Sequence, residues 1–337
     1  MESDSSSTKP ALCLSAPAKI NLHLRVGPPT ADGFHPLLTW MCAVSLFDTL
    51  EFSPIESDSL DSPEIALRCD DPSLPCDATN LIVRAGRMLA VAIRERQSAA
   101  MVTREGGDAF GRESRSPRGN EGYAALGRLH GVKIALQKRI PTGAGLGGGS
   151  SDGATAMIGL SRLWGVDLGA YRLAELSAEC GSDLPFFFHG PSSICTGRGE
   201  FVRPTSVPAA RWGVLVLPKI AMPTPAVYRK FDEMRLGSAD GLASPPDWKV
   251  WATLTAEELL PCLVNDLESP AFALCPELGK LRATIESQLA RPVRMSGSGS
   301  SLFTLFDTEI AAELAAQQVS ALHGVVAKCV QIAPEVA

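Results

Sequence analysis

Apolar and polar residues alternate from Ile20 to Val26 and again from Val132 to Leu136, the pattern of half-buried β-strands. A further β-rich stretch runs from about Thr39 to Phe52. Between these stretches, apolar residues recur every three or four positions, which predicts a helix that Thr79 caps and that extends to about Gln97. The first part of the chain therefore predicts a sheet with a helix packed on it.

Two more helices are predicted after the third strand, at about Ser151 to Trp164 and Ala170 to Cys180, with Gly181 as the C-cap of the second. The order of strands and helices changes in the later part of the chain. The later elements are a strand (Trp212–Leu217), a helix (Pro276–Leu289), two strands (Pro292–Met295 and Leu302–Phe306), a helix (Thr308–Leu322) and a strand (Val325–Ile332). This βαββαβ order is the split ferredoxin-like unit, and we expect a domain boundary near residue 200, between segments 11–200 and 201–337.

Composition narrows the class of protein. A chain of 337 residues with 45% hydrophobic and 20% charged side chains can bury two cores, which excludes an intrinsically disordered protein. The net charge of −6 and the lack of a basic block argue against nucleic-acid binding. There is no long apolar run and no signal-like start, so we expect a soluble, cytoplasmic protein without a membrane partner. Residues 1–10 are expected to form a disordered tail and 103–122 an exposed loop insertion.

Cysteine and histidine do not indicate a metal site. The nine cysteines include no C-x-x-C pair and the five histidines no H-x-x-x-H spacing. We expect buried, reduced thiols and no protein-built metal site.

Glycines cluster in P-T-G-A-G-L-G-G-G-S-S-D (Pro141 to Asp152), between a predicted strand and a predicted helix. Glycines let the backbone turn with positive φ, and a helix N-terminus offers free N–H groups, so the segment suits a phosphate. Ser150 and Ser151 could add hydroxyl donors or ligands for a phosphate-bound Mg²⁺. A tight turn that binds nothing would need only one or two glycines.

Three common phosphate-binding folds do not fit this cluster. Gly143, Gly145 and Gly148 match G-x-G-x-x-G, but a helix follows where a dinucleotide-binding unit needs a second parallel strand. A P-loop needs a lysine after the glycines, and a protein kinase needs H-R-D and D-F-G; none of these occurs.

The cluster resembles the central motif of the GHMP small-molecule kinases. A-P-A-K-I-N-L-H-L (16–24), A-D-G-F-H-P-L (31–37), G-S-D-L-P-F-F (181–187), T-G-R-G-E (196–200), P-T-P-A-V-Y (223–228) and M-S-G-S-G-S-S (295–301) extend the resemblance to nearly the whole chain. It implies an α+β, two-domain GHMP kinase fold, with an N-terminal ribosomal-protein-S5-like α/β domain and a C-terminal ferredoxin-like domain. The implied activity is ATP- and Mg²⁺-dependent phosphorylation of the 2-hydroxyl of 4-diphosphocytidyl-2-C-methyl-D-erythritol, in the non-mevalonate isoprenoid pathway. A monomer or weak homodimer is expected.

The resemblance also assigns roles to single residues. Asp183 matches the catalytic base, and Lys19, which shares a strand face with Asn21, matches the lysine that keeps this base ionised. Without the motif, Asp183 would be an acid in a helix-ending turn and Lys19 a surface residue at a strand start. The implied ATP-binding positions are Pro141, Thr142, Gly143, Ala144, Gly145, Leu146, Gly147, Gly148, Gly149, Ser150 and Ser151, with Asn80 and Lys138 near the adenine.

The substrate positions follow in the same way. Asn21 would position the erythritol end, His35 would bind the cytosine by hydrogen bonds, and Phe34, which replaces the family's tyrosine, would stack on it. Stacking needs only the ring face, so this replacement removes a phenol hydrogen bond and nothing else. Tyr228 would cover the other face of the base. An ordinary half-buried tyrosine is the competing interpretation.

Three alternatives remain open from the sequence. Another GHMP kinase, of the homoserine or mevalonate type, would not need the segment with Phe34 and His35 that is expected to bind cytosine. A non-catalytic nucleotide-binding protein would not need Lys19 and Asp183. A dinucleotide oxidoreductase would require the missing second strand.

Overall fold

Two β-sheets with helices packed on them form the part of the chain that the computed structural model describes, namely residues 10–55, 63–105, 129–322 and 324–335. The first sheet contains β1 (Leu12–Val26), β2 (Leu37–Ile55), β3 (Ile65–Cys69), β4 (Gly131–Gln137), β5 (Ser192–Gly197) and β6 (Phe201–Pro204). The second contains β7 (Trp212–Leu217), β8 (Arg294–Met295), β9 (Leu302–Phe306) and β10 (Val326–Gln331).

The long strand β2 organises the first sheet. It pairs with β1 along one edge, and on the other edge its first half pairs with β5 and its second half with β4. The β1–β2 register shifts at Pro17/Ala18 and again at Asn21/His23, so two irregularities flank Lys19. Lys19 lies in the middle of β1 and is 4% exposed. The expectation of a half-buried strand that begins near Lys19 was therefore wrong, since both faces of β1 are covered here.

The first three helices are α1 (Leu81–Glu105), α2 (Gly148–Leu163) and α3 (Ala170–Ser177), and a 3₁₀ turn follows at Pro185–Phe188. Apolar side chains of α1, α2, β2 and β4 share one core. Helix α1 is longer than predicted, so residues 103–105 are helical rather than part of the expected loop. Residues 106–122 of that loop and 1–9 of the expected tail lie outside the described residues.

The helix ends also differ from their predictions. Asn80, not Thr79, caps α1, because its Oδ1 accepts the N–H of Ile82 at 2.9 Å. Helix α3 ends at Ser177 with Ala178 as its C-cap, so Gly181 does not have that role.

The second sheet has the predicted βαββαβ order. Its strands lie in the order β10-β7-β9-β8, and every neighbouring pair is antiparallel. The helices of this part are α4 (Thr224–Glu233), α5 (Ala239–Ala243), α6 (Trp248–Trp251), α7 (Ala256–Leu259), α8 (Glu268–Leu274), α9 (Pro276–Leu289) and α10 (Glu309–Ser320), with a 3₁₀ turn at Leu260–Cys262. Helices α4 to α8 were not predicted. The α+β, two-sheet fold agrees with the predicted fold class.

Two other expectations can be compared with the described residues. All nine cysteines are free, but only Cys42 and Cys195 are buried, so the expectation of buried thiols was wrong for the other seven. No described helix is both long enough and apolar enough to span a membrane.

Candidate active site

A cavity of about 1020 Å³ lies where the first sheet meets the second part of the chain. It is lined by all but one of the site residues that are predicted from the sequence: Lys19, Asn21, Phe34, His35, Asn80, Lys138, Pro141 to Ser150, Asp183 and Tyr228. The exception is Ser151, which is fully buried, and its hydroxyl has no hydrogen-bond partner among the described residues. One cavity therefore joins the glycine cluster, the candidate base and the aromatic residues.

The glycine cluster forms a tight loop between β4 and α2. Gly143, Gly145 and Gly147 have φ angles of 68°, 76° and 66°, and Gly147 precedes α2 without any side-chain cap. A Cβ at Gly145 would lie 2.2 Å from the carbonyl oxygen of Ser296, so no other residue fits there. The first N–H groups of α2 have no partner within the helix and are adjacent to the cavity. Together with the helix dipole they form a site for an anion.

Lys19 is held directly under this loop. Its backbone N–H donates to the carbonyl of Leu146 at 2.9 Å. Its Nζ lies 3.3 Å from Oδ2 of Asp183 and donates to Oδ1 of Asn21 at 2.7 Å. Asn21 in turn donates to Oγ1 of Thr39 at 2.9 Å. The side chain of Lys19 is 5% exposed and that of Asp183 is 32% exposed, so a fixed ammonium faces a carboxylate that opens into the cavity.

A second lysine lies deeper, beside the start of α2. Nζ of Lys138 forms ion pairs with Asp48 and, at 2.8 Å, with Asp152. Burial alone would lower the pKa of Lys138, but the two carboxylates outweigh it and raise that pKa. Burial raises the pKa of Asp152 to about 7 against the opposing effect of Lys138, and its Oδ1 has no partner among the described residues. The side of the cavity at the start of α2 thus carries a buried group with one lysine and two acids.

Asn80, also on this side, uses its amide within the protein. Besides capping α1, its Nδ2 donates to the carbonyl of Pro75 at 2.8 Å. The residue lines the cavity, but both of its polar side-chain atoms already have partners.

The aromatic residues lie at the other end of the cavity. The ring centroids of His35 and Tyr228 are 5.3 Å apart, and Phe34 is 52% exposed. His35 Nδ1 donates to the carbonyl of Gly27 at 2.8 Å, and its Nε2 lies 3.2 Å from Oδ1 of Asp232. Burial raises the pKa of Tyr228 to about 12, and the negative charge of Asp183 acts in the same direction. Tyr228 therefore remains a neutral phenol.

Several residues of the site were not selected from the sequence. Asp48 and Asp152 pair with Lys138, and Thr39 accepts the hydrogen bond from Asn21, as described above. Ser296 accepts the N–H of Asn21 at 3.2 Å and donates to the carbonyl of Gly145 at 2.9 Å, so it joins β1 to the glycine loop. Asp152 ends the glycine motif, which is a signal that sequence reasoning could have used.

Comparison with known proteins gives consistent results. The family model "GHMP kinases N terminal domain" matches residues 119–191, and "GHMP kinases C terminal" matches residues 251–324. Over 318 residues, the chain is 36% identical to a 4-diphosphocytidyl-2-C-methyl-D-erythritol kinase of Nocardioides sp., and the match covers 93% of this chain and 95% of that protein.

Solved structures agree with this likeness. A crystal structure of 4-(cytidine 5'-diphospho)-2C-methyl-D-erythritol kinase is 31% identical, has a TM-score of 0.68, and the match covers 96% of this chain and 100% of that one. A homoserine kinase from Cytophaga hutchinsonii has a TM-score of 0.63 with coverage of 96% and 95%, but at 16% identity it shows the fold alone.

Proposed function

The chain belongs to the 4-diphosphocytidyl-2-C-methyl-D-erythritol kinase family of the GHMP kinases, and we propose that Asp183 and Lys19 are its catalytic residues. The protein is an alcohol phosphotransferase that phosphorylates 4-diphosphocytidyl-2-C-methyl-D-erythritol with ATP, in the non-mevalonate isoprenoid pathway. The observation that carries the residue assignment is the contact of 3.3 Å between Lys19 and Asp183 under a glycine loop that is built for an anion.

Phosphoryl transfer needs alignment, charge neutralisation and a group that accepts the proton of the attacking hydroxyl. Asp183 is proposed to accept that proton from the 2-hydroxyl, because its carboxylate faces the cavity beside the loop. Lys19 would offset the negative charge that develops on the alcohol oxygen, and Asn21 and the backbone contact to Leu146 fix its position.

The glycine loop is proposed to bind the phosphates of ATP through the first amides of α2. Lys138 and Asn80 would lie at the adenosine side of the cavity. Within the described residues, no group of three or more His, Cys, Asp or Glu side chains could form a metal site, so Mg²⁺ would arrive on the phosphates of ATP. Ser150 lines the cavity, so a hydroxyl oxygen is present there for that ion; the buried Ser151 hydroxyl, which has no partner among the described residues, is not part of the cavity lining. Bound there, Mg²⁺ would neutralise phosphate charge.

The cytosine is proposed to bind between Phe34 and Tyr228. Both ring nitrogens of His35 already face partners, Gly27 and Asp232, so a hydrogen bond from this ring to cytosine would have to replace Asp232. Asn21 would contact the erythritol end only through the groups that it does not use for Lys19 and Thr39.

Further expectations remain proposals. The two parts of the chain would divide near residue 200, since the first sheet ends with β6 at Pro204 and the second begins with β7 at Trp212. We also propose a cytoplasmic location and a monomer or weak homodimer.

The direct test is release of ADP from Mg-ATP with a panel of alcohols: 4-diphosphocytidyl-2-C-methyl-D-erythritol, homoserine and mevalonate. We expect saturable release with the first compound and background release with the other two. Equal release across the panel, or none, would contradict the proposed substrate. Preference for homoserine or mevalonate would assign the chain to another GHMP activity.

A further inference from the structure

Four cationic side chains line the cavity, and they differ in how firmly they are held: Lys19, Lys138, Arg198 and Arg229. The two lysines are buried and paired with acids, as described above. The Arg198 guanidinium lies over the Phe34 ring, with Cζ 3.7 Å from the ring centroid, and forms an ion pair with Asp32. The Arg198 and Asp32 side chains are 46% and 51% exposed, so water screens this pair and a competing anion can displace it.

The backbone of Arg198 lies near the candidate base, away from the position of its guanidinium. Arg198 stands between Gly197 (φ 72°) and Gly199 (φ 118°) in a turn that follows β5. A Cβ placed on Gly199 would lie 3.4 Å from the carbonyl oxygen of Ser182 and 3.8 Å from Oδ1 of Asp183. The arginine therefore starts beside the candidate base and extends its guanidinium to the aromatic end of the cavity.

This span matches one part of the substrate. In a cytidine-diphosphate alcohol, the diphosphate connects the ribose that carries the base to the alcohol that is phosphorylated. If the base lies at Phe34 and the hydroxyl at Asp183, the diphosphate lies between them, along the side chain of Arg198. A guanidinium binds phosphate oxygens with two parallel hydrogen bonds, and a diphosphate carries more charge than the carboxylate of Asp32.

We propose that Arg198 binds the diphosphate of the substrate, and that Asp32 and Phe34 hold its guanidinium in the free enzyme. The proposal rests on the proposed function, because it takes the positions of base and hydroxyl from it. On binding, the guanidinium leaves Asp32 for the phosphate oxygens, and no covalent bond changes. Arg198 is thus a residue that selects diphosphate-linked alcohols over neutral ones.

The test compares CDP with cytidine, which has the same base and ribose without the diphosphate. Affinities are measured by calorimetry in the presence of saturating ADP, so that neither probe binds at the ATP site. For Arg198→Ala we expect CDP affinity to fall on the order of 10- to 100-fold, while cytidine affinity changes by less than about 3-fold. Arg198→Lys should lie between this variant and wild type. Arg203→Ala is the matched control, because Arg203 is exposed on β6 and does not line the cavity.

Kinetics give a second measurement. The KM for the diphosphate substrate should rise in Arg198→Ala, whereas the KM for ATP and kcat stay within about 3-fold of wild type. Asp32→Asn should keep or improve CDP affinity, and a loss as large as that of Arg198→Ala would overturn the holding role of Asp32.

Three results would overturn the diphosphate assignment. An equal loss of CDP and cytidine affinity would mean that Arg198 only supports the stacked base. Unchanged CDP affinity in Arg198→Ala, with normal turnover by wild type, would show that Arg198 is not a ligand although the proposed function holds. Wild-type protein that binds neither probe would contradict the proposed function and this inference together.

Discussion

Asp183→Asn replaces one carboxylate oxygen by an NH₂ group and removes the proposed proton acceptor while it keeps the shape of the side chain. The amide oxygen can still accept a hydrogen bond from Lys19, whose Nζ lies 3.3 Å from the carboxylate in the wild type. Loss of a general base costs about 10²- to 10⁴-fold in rate, which corresponds to about 3–5 kcal/mol in activation free energy. We expect kcat to fall by that factor.

The same substitution should leave stability and ATP binding nearly unchanged. The Asp183 side chain is 32% exposed, so water screens its side of the ion pair, and we expect only a small change in the free energy of unfolding. Lys19 keeps its bond of 2.7 Å to Asn21 and is not left without a partner. ATP contacts the glycine loop rather than Asp183 in the proposed complex, so its Kd should stay within about 3-fold of wild type.

The assay is steady-state ADP release at saturating ATP and alcohol, with calorimetry for ATP and chemical unfolding for stability. Asp232→Asn is the matched control, because Asp232 also lines the cavity but contacts His35 at the aromatic end. It should change the KM for the alcohol and leave kcat within about 3-fold. A kcat loss of less than about 10-fold in Asp183→Asn would refute the assignment of Asp183 as the base.

Three further predictions concern the loop, the buried acid and the base site. Gly145→Ala should weaken ATP binding and lower stability by about 2 kcal/mol or more, since φ is 76° and the new Cβ would meet the Ser296 carbonyl at 2.2 Å; an unchanged unfolding midpoint and ATP Kd would contradict this. The pKa of Asp152 is about 7 in the folded protein and near 3.8 in the unfolded chain, so the free energy of unfolding of the wild type should fall as the pH rises from 3.8 to 7. Asp152→Asn should not show this fall. Chemical unfolding of both proteins at pH 5 and pH 8 measures it, and a stability difference between them that is the same at both pH values would refute it. Tyr228→Ala should raise the KM for the alcohol by about 10-fold or more and leave that for ATP unchanged, as initial rates can show.

Sequence patterns predicted the elements whose burial repeats regularly. The strands β4, β7 and β9 and the helix α9 lie within a residue or two of their predicted bounds, because their apolar residues recur with the period of the element and pack into the cores. Helices α4 to α8 span four to ten residues each, too few turns for a stable repeat to be visible.

The residues of the candidate site also divide into those that the sequence pattern could predict and those that it could not. Period-2 alternation alone predicted that Lys19 and Asn21 share one face of a strand. It could not predict that both are buried, because the glycine loop and Ser296, which contact them, come from distant parts of the chain. Asp48 left a signal that could have been used: with Leu46, Leu50 and Phe52 it occupies the buried face of β2, and a fully buried acid requires partners. Which lysine supplies that partner could not be known without the β2–β4 pairing.

The position of the transferred phosphate on the product distinguishes this kinase activity from every alternative. Wild-type protein is incubated with Mg-ATP and 4-diphosphocytidyl-2-C-methyl-D-erythritol, and the product is identified by ³¹P NMR with carbon–phosphorus coupling. We expect one new phosphomonoester on the oxygen of carbon 2, with the diphosphate intact, and almost none of it when Asp183→Asn replaces the wild type. A phosphate on another oxygen, or ADP and free phosphate without a phosphorylated alcohol, would contradict it.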